Sequence, residues 1–215
     1  MIIISSIKKI QASDLNVISF LHQKAFKDSE LTKLGHEAVR RYYEWQLTGP
    51  HECYSISAIS EEKIIGFCFA GVFHGALSGY LRKNKKYLVF RILSHPWLIL
   101  DRVFINRFLI AIKSLNYFPK KTNKIIDDAP IEEKKIFGIL SIAVDPAIQT
   151  KGVGKVLMKA VEEEAIRQGY DRMHLTVHPS NTNAVQFYLR VGWIKNDAVP
   201  WAGGMYKILS AGELS

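Results

Sequence analysis

The stretch from Phe137 to Gln168 constrains this chain more than any other part of it. Residues 137–144 read Phe-Gly-Ile-Leu-Ser-Ile-Ala-Val, a buried strand that stops at Asp145-Pro146 because proline cannot donate to a ladder. A turn carrying Gly152 and Gly154 follows. Residues 152–168 then place Val153, Val156, Leu157, Ala160, Val161, Ala165 and Ile166 at helical spacing, with Gly169 at the C-cap position. This order of strand, glycine turn and helix leaves main-chain N–H groups at the positive end of a helix, where an anion is favoured. A plain strand-to-helix connection has the same look. A dinucleotide fingerprint fits less well, since Leu157 stands where its third glycine would be, and no Walker Gly-Lys-Ser/Thr follows.

The remaining elements alternate in type. Residues 7–10 predict a strand, and Ser13-Asp14 caps a helix marked by Leu15, Val17, Ile18, Leu21 and Phe26. Residues 36–47 predict a second helix, stopped by Gly49-Pro50. Two β-rich runs, 54–59 and 63–73, joined by Ser60-Glu61-Glu62, read as a hairpin. Residues 173–177 form a further strand, 183–191 a short helix ended by Gly192, and 205–209 a last strand. The fold class is α+β, and residues 1–215 read as a single domain. Hydrophobic content of 48% with 23% charge suits an ordinary soluble core, and residues 1–6 are too short an apolar run for a signal or anchor, so the default compartment is the cytosol. Cys53 and Cys68 have neither a disulfide pattern nor zinc-ligand spacing and read as small hydrophobes, and no metal is implied.

The net charge of +9 is not spread over the chain. Residues 74–124 hold eleven Lys or Arg against one acid, Asp101, a local +10 that leaves −1 for everything else. Residues 74–135 therefore read as a basic insertion. Its apolar middle, 87–112, is broken by Arg91, His95, Pro96, Asp101, Arg102 and Arg107, so it predicts one or two amphipathic helices, the second starting near Ser94-His95-Pro96, rather than a spanning helix.

Gln149-Thr150-Lys151-Gly152-Val153-Gly154 has the form QxxGxG, and residues 181–193 have the form NxxAxxFYxxxGW. Together, in this order and spacing, they resemble the two signature motifs of the GNAT superfamily of acetyl-CoA-dependent N-acetyltransferases. The resemblance is firm over residues 137–209 and looser over 7–73. It implies a mixed, mostly antiparallel central sheet with helices on both faces, and direct attack of an amine on acetyl-CoA without a covalent enzyme intermediate. It also implies that the main chain of Ile142, Ala143 and Val144 pairs with the pantetheine arm and that a main-chain N–H near Val144 holds the oxyanion. Gln149, Thr150, Lys151, Gly152, Val153, Gly154 and Lys155 would take the pyrophosphate. Asn181, Asn183, Phe187 and Arg190 would complete the cofactor site, with Tyr188 as general acid to the leaving thiolate.

The general base is not implied in the same way, because the strand position where many relatives carry glutamate is not acidic here. Ser141 and Thr176 stand nearby, and His178, just after a strand, is of the residue type suited to base work, although a His before Pro179 also serves as a plain turn residue. A water chain would do as well. The acceptor reads as a small-molecule amine, with an amino sugar of surface-polysaccharide synthesis the first candidate; peptide or protein amines, or a non-catalytic basic binding module, are the alternatives. The basic segment 74–124 could meet an acidic acceptor or an anionic membrane surface, or pack on the domain or in a homodimer, while no interleaving of aromatic and basic residues favours nucleic acid.

Overall fold

The computed structural model describes residues 4–95, 97–101, 136–149 and 151–209. Of the sequence expectations, Thr150 and residues 102–135 of the basic segment lie outside the described residues. Seven strands form one sheet: β1 (Ser6–Lys9), β2 (Glu52–Ser60), β3 (Lys63–Val72), β4 (Phe137–Val144), β5 (Arg172–Thr176), β6 (Ile194–Lys195) and β7 (Gly204–Ile208). Their order is β1-β2-β3-β4-β5-β7-β6, and every neighbouring pair is antiparallel except β4 and β5. The single parallel pair exists because a helix, α7 (Val153–Arg167), crosses between its strands.

The helices α1 (Leu15–Ala25), α2 (Glu30–Lys33) and α3 (His36–Thr48) precede β2; α4 (Ala76–Lys83), α5 (Lys85–Leu93) and α6 (Trp97–Leu100) follow β3; α8 (Thr182–Arg190) follows β5. Period-two strands between helices divide the apolar residues into two cores, one on each face of the sheet. On one face, Val153, Leu157, Met158, Val161 and Ala165 of α7 and Val185 and Tyr188 of α8 cover Ile56, Cys68, Phe137 and Met173. On the other, Leu15, Ile18 and Leu21 of α1 and Val39 and Tyr43 of α3 cover Phe67, Phe69 and Ala143. A third layer lies outside α3. There Tyr80, Leu81, Leu88 and Leu98 pack on Leu34 and Ala38, Tyr80 donates to the Ala38 carbonyl at 3.2 Å, and Arg91 Nε donates to the Leu34 carbonyl at 2.8 Å.

Several details differ from the sequence reading. Val156 is 39% exposed, and Met158 takes its place in the buried stripe of α7. The four-residue α2 and the two-residue β6 are too short to show a period; α2 is held by Ser29, whose side chain caps Thr32 N–H at 3.1 Å. The basic segment is helical from Ala76, earlier than its apolar middle suggested, and its first two helices meet at Asn84. The hairpin turn is tighter than drawn, since Ser60 pairs with Lys63 and both Glu61 and Glu62 adopt positive φ, 48° and 62°. That conformation belongs to a two-residue turn more often built from Asn-Gly.

Candidate functional site

The site begins with a defect in β4. Gly71 faces Gly138 and Ala70 faces Ile139, but Phe69 faces Ser141, so Leu140 is an extra residue, a β-bulge. The bulge shifts the alternation: Ile139 and Ile142, three apart, both join the α7 face, while Leu140 and Ala143 join the α1 face. On its other side β4 pairs with β5 only at residues 137, 138 and 139. Among the described residues nothing in the sheet continues that pairing, so the two strands part just as the bulge begins. Asp145 N–H donates to the Ile65 carbonyl at 2.9 Å, which fixes the alternation beyond the bulge. Ile142 and Val144 therefore turn their N–H and C=O groups away from β3 and into the gap between β4 and β5. The Val144 carbonyl accepts from Gln149 Nε2 at 3.4 Å.

Beyond the gap the chain makes a 3₁₀ turn, residues Pro146–Ile148, capped by Asp145, whose carboxylate accepts from Ala147 N–H at 3.0 Å. Gly152 then N-caps α7 at φ +87°, a left-handed conformation that costs glycine nothing. A Cβ at Gly152 would meet no atom within 4 Å, so the space before the helix is open. The first turn of α7 holds no acid, and Lys151 and Lys155 are exposed beside it. Gly154 has a different reason to be glycine. A Cβ there would lie 3.3 Å from Phe187 Cζ, so its absence lets α8 approach α7 and brings the two motif segments together.

α8 is capped by Asn181, whose Oδ1 accepts from Ala184 N–H at 3.2 Å, while Asn183 is exposed. Tyr188 is buried at 8% exposure, with ring centroids 5.4 Å from Phe187 and 6.0 Å from Trp193. Burial, with a smaller contribution from the Cys68 thiol, raises its phenol well above the usual range, so it holds its proton at every working pH. Cys68 faces Ile142 across β3 and β4, which sets Tyr188 level with the gap. Arg190 lies elsewhere: with Lys155, Lys159, Glu162 and Lys207 it lines a cleft of about 350 Å³ between α7 and the end of α8.

His178 is exposed in the turn after β5. Its Nδ1 accepts from Ser180 N–H at 3.3 Å and lies 2.7 Å from Ser180 Oγ, so the neutral ring carries its proton on Nε2 and its basic nitrogen is engaged in the turn.

A polar chain that the motifs do not announce lies on the opposite face. Ser141 Oγ is 2.9 Å from Tyr43 Oη, which is 2.8 Å from His22 Nδ1; His22 Nε2 is 3.4 Å from Ser29 Oγ. Ser29 gives its own proton to Thr32 Oγ1 at 2.9 Å, which fixes the polarity of the row. His22 Nε2 donates to Ser29, Nδ1 accepts from Tyr43, and Tyr43 accepts from Ser141. Tyr43 is fully buried and His22 nearly so; burial holds the imidazole pKa down at about 4 and lifts the Tyr43 phenol far above its ordinary value. Ser141 is only partly buried and directly precedes Ile142. The sequence offered one signal for this row, a His set in the apolar stripe Leu15, Ile18, Leu21 of α1, but nothing that paired it with Tyr43.

The sequence model of the Acetyltransferase (GNAT) family matches residues 18–193, most of the chain. The chain belongs to the GNAT acetyltransferase family. As a GNAT enzyme it is an acyltransferase that uses acetyl-CoA as its acyl donor. Its fold is shared with the PaiA N-acetyltransferase of Thermoplasma acidophilum in complex with coenzyme A, at 14% identity, TM-score 0.57, covering 94% of this chain and 98% of that one. The Escherichia coli ribosomal-protein-S18-alanine N-acetyltransferase is similar at 14% identity and TM-score 0.54, with 98% and 97% covered. An aminoglycoside N-acetyltransferase in complex with CoA is similar at 15% identity and TM-score 0.54, with 90% of each chain covered. No curated protein matches the chain.

Proposed function

We propose that this GNAT enzyme transfers the acetyl group of acetyl-CoA to the primary amine of a small-molecule acceptor, in the gap where β4 and β5 part. The observation that carries the assignment is the free side of β4: the Ile142 and Val144 main chain faces the gap, and the open N-terminus of α7 stands at its end. The pantetheine amides pair with Ile142 and Val144, Ala143 between them being turned to β3, and the pyrophosphate lies against the turn before α7, where N–H groups and the helix dipole favour it. Asn181, Asn183 and Phe187 border the arm, while the cleft lined by Lys155 and Arg190 offers cationic charge to the nucleotide end.

In the reaction the amine nitrogen attacks the thioester carbon, the Val144 N–H stabilises the oxyanion, and the C–S bond breaks as the departing sulfur takes the Tyr188 proton, which solvent restores at once because burial disfavours the phenolate. The attacking nitrogen must also lose a proton. His178 has its basic nitrogen in a turn, whereas Ser141 heads a row already polarised inward. The amine proton passes to Ser141 as the Ser141 proton passes to Tyr43 and the Tyr43 proton to His22 Nδ1. Burial disfavours the imidazolium, so His22 does not store the charge: its Nε2 proton passes to Ser29, the Ser29 proton to half-buried Thr32, and the Thr32 proton to solvent.

For the acceptor, amino sugars on a nucleotide or lipid diphosphate come first, because Arg82, Lys83, Lys85 and Lys86 supply charge of the complementary sign. The neighbouring structures act on amines of both small molecules and protein, so their likeness does not choose between them. The test is thiol release from acetyl-CoA over a panel of amino sugars, aminoglycosides, polyamines and peptide amines. Turnover with an amino sugar supports the reading, and turnover confined to peptide N-termini replaces it.

A further inference from the structure

The third layer has two apolar faces. Its inner face, Tyr80, Leu81, Leu88 and Leu98, is spent on α2 and α3. Its outer face is not. On α5, Lys86, Val89, Phe90 and Leu93 follow one another at three- and four-residue spacing on the side away from Leu88, with Phe90 and Leu93 each 70% exposed. On α6, Trp97 at 59% and Leu100 at 81% flank the buried Leu98. Leu88 and Leu98 enter the same cluster on α2 and α3, so the faces opposite them look outward together. Scattered exposed apolar residues are ordinary, but a row of two leucines, a phenylalanine and a tryptophan on consecutive short helices is not.

Charge tells what this row meets. Arg82, Lys83, Lys85 and Lys86 are exposed at its N-terminal end, and no acid stands between residues 74 and 100. Of the acids beneath it, Asp101 is paired with Lys33 at 2.6 Å and Glu37 with Arg40 and Arg41, while Arg91 is turned inward onto the Leu34 carbonyl. A second copy of this chain would set the basic cluster near its own image, which like-charge repulsion disfavours. A bilayer with anionic lipid takes both parts at once: lysines at the headgroup phosphates, and Phe90, Leu93, Trp97 and Leu100 at the acyl boundary, with the indole at the depth tryptophan favours. α5 has nine residues, and no helix among the described residues is long and apolar enough to cross a membrane, so the contact lies in the interface plane.

We propose that the outer face of α5 and α6 is a peripheral docking surface for an anionic phospholipid membrane, placing the enzyme at the bilayer. This does not depend on the acceptor, and its test needs neither acetyl-CoA nor an amine. The full chain is sedimented with vesicles of phosphatidylglycerol and phosphatidylcholine, and with phosphatidylcholine alone, over a range of salt. The parent sediments with the mixed vesicles and far less with the neutral ones, and added salt weakens it.

Replacing Phe90, Leu93 and Trp97 together by serine lowers partition by about tenfold or more. Lys85→Gln with Lys86→Gln lowers it about fivefold per charge and flattens the salt dependence. All of these side chains are exposed, so the variants keep the parent's circular dichroism and melting profile. The proposal is overturned if the parent ignores anionic vesicles, or if both variants bind as the parent does. A parent that is a dimer by light scattering, with the triple-serine variant a monomer, overturns it too and assigns the face to a second copy.

Discussion

The two faces of the central sheet present opposite kinds of chemistry. The α7 and α8 face holds its functional residues in two compact runs, 149–155 at the start of α7 and 181–190 along the short helix α8. The α1 and α3 face gathers Ser29, His22, Tyr43 and Ser141 from α1, the N-cap of α2, α3 and β4, with 98 residues separating Tyr43 from Ser141. The first kind of site depends on local backbone geometry and the second on packing. They should therefore fail differently when altered.

The largest difference is expected in turnover. Tyr188→Phe should lower kcat by about 10²- to 10⁴-fold with CoA affinity nearly unchanged, since the ring stays and only the donated proton goes. Full turnover in single-turnover assays would reduce Tyr188 to its contacts with Phe187 and Trp193.

The opposite face should show itself in acid. The folded pKa of His22, about 4, lies below its ordinary 6.5, so between these pH values the unfolded chain binds a proton that the folded protein refuses. Stability from this group is complete above pH 6.5 and falls by about 3 kcal/mol as pH drops to 4. Urea unfolding of the parent and His22→Gln at pH 7 and pH 4.5 measures it. Equal pH dependence in the two proteins would mean that His22 is not buried in its neutral form.

The glycine turn separates strain from charge. Gly152→Asp puts a side chain on a residue at φ +87° and a carboxylate in the open space before α7, and should weaken CoA binding by about 10- to 100-fold in calorimetry. Gly152→Asn tolerates the same backbone without the charge and should lose less. Equal losses would assign the effect to the backbone alone.

The smallest effect belongs to the proton row. Tyr43→Phe keeps the packing and breaks the link between Ser141 and His22, and should lower kcat about tenfold while KM for acetyl-CoA holds. His178→Ala should stay within about twofold of the parent. The reverse result would move the base to His178 and leave the buried row a purely structural network.

Some of this was legible without coordinates. The strand at 137–144, the glycine turn, α7 and α8 could be read because each signal sits within a few consecutive residues: a proline stop, a glycine cap, a 3.6-residue period. The family match, over residues 18–193, spans all of these elements. The charge of residues 74–124 was equally plain, being only a count.

Only the tertiary structure decided the rest. A bulge at Leu140 is a mismatch between two strands, and the β4 sequence contains nothing to mark it. The role of Gly154 depends on Phe187, thirty-three residues away, and the meaning of His22 depends on which tyrosine the packing of α1 on α3 delivers to it. Trp97 and Leu100 are plain apolar residues of an amphipathic segment until the packing of Leu88 and Leu98 turns them outward. Periodicity states that a helix has an apolar side; which side is covered is settled by what the chain has already folded against it.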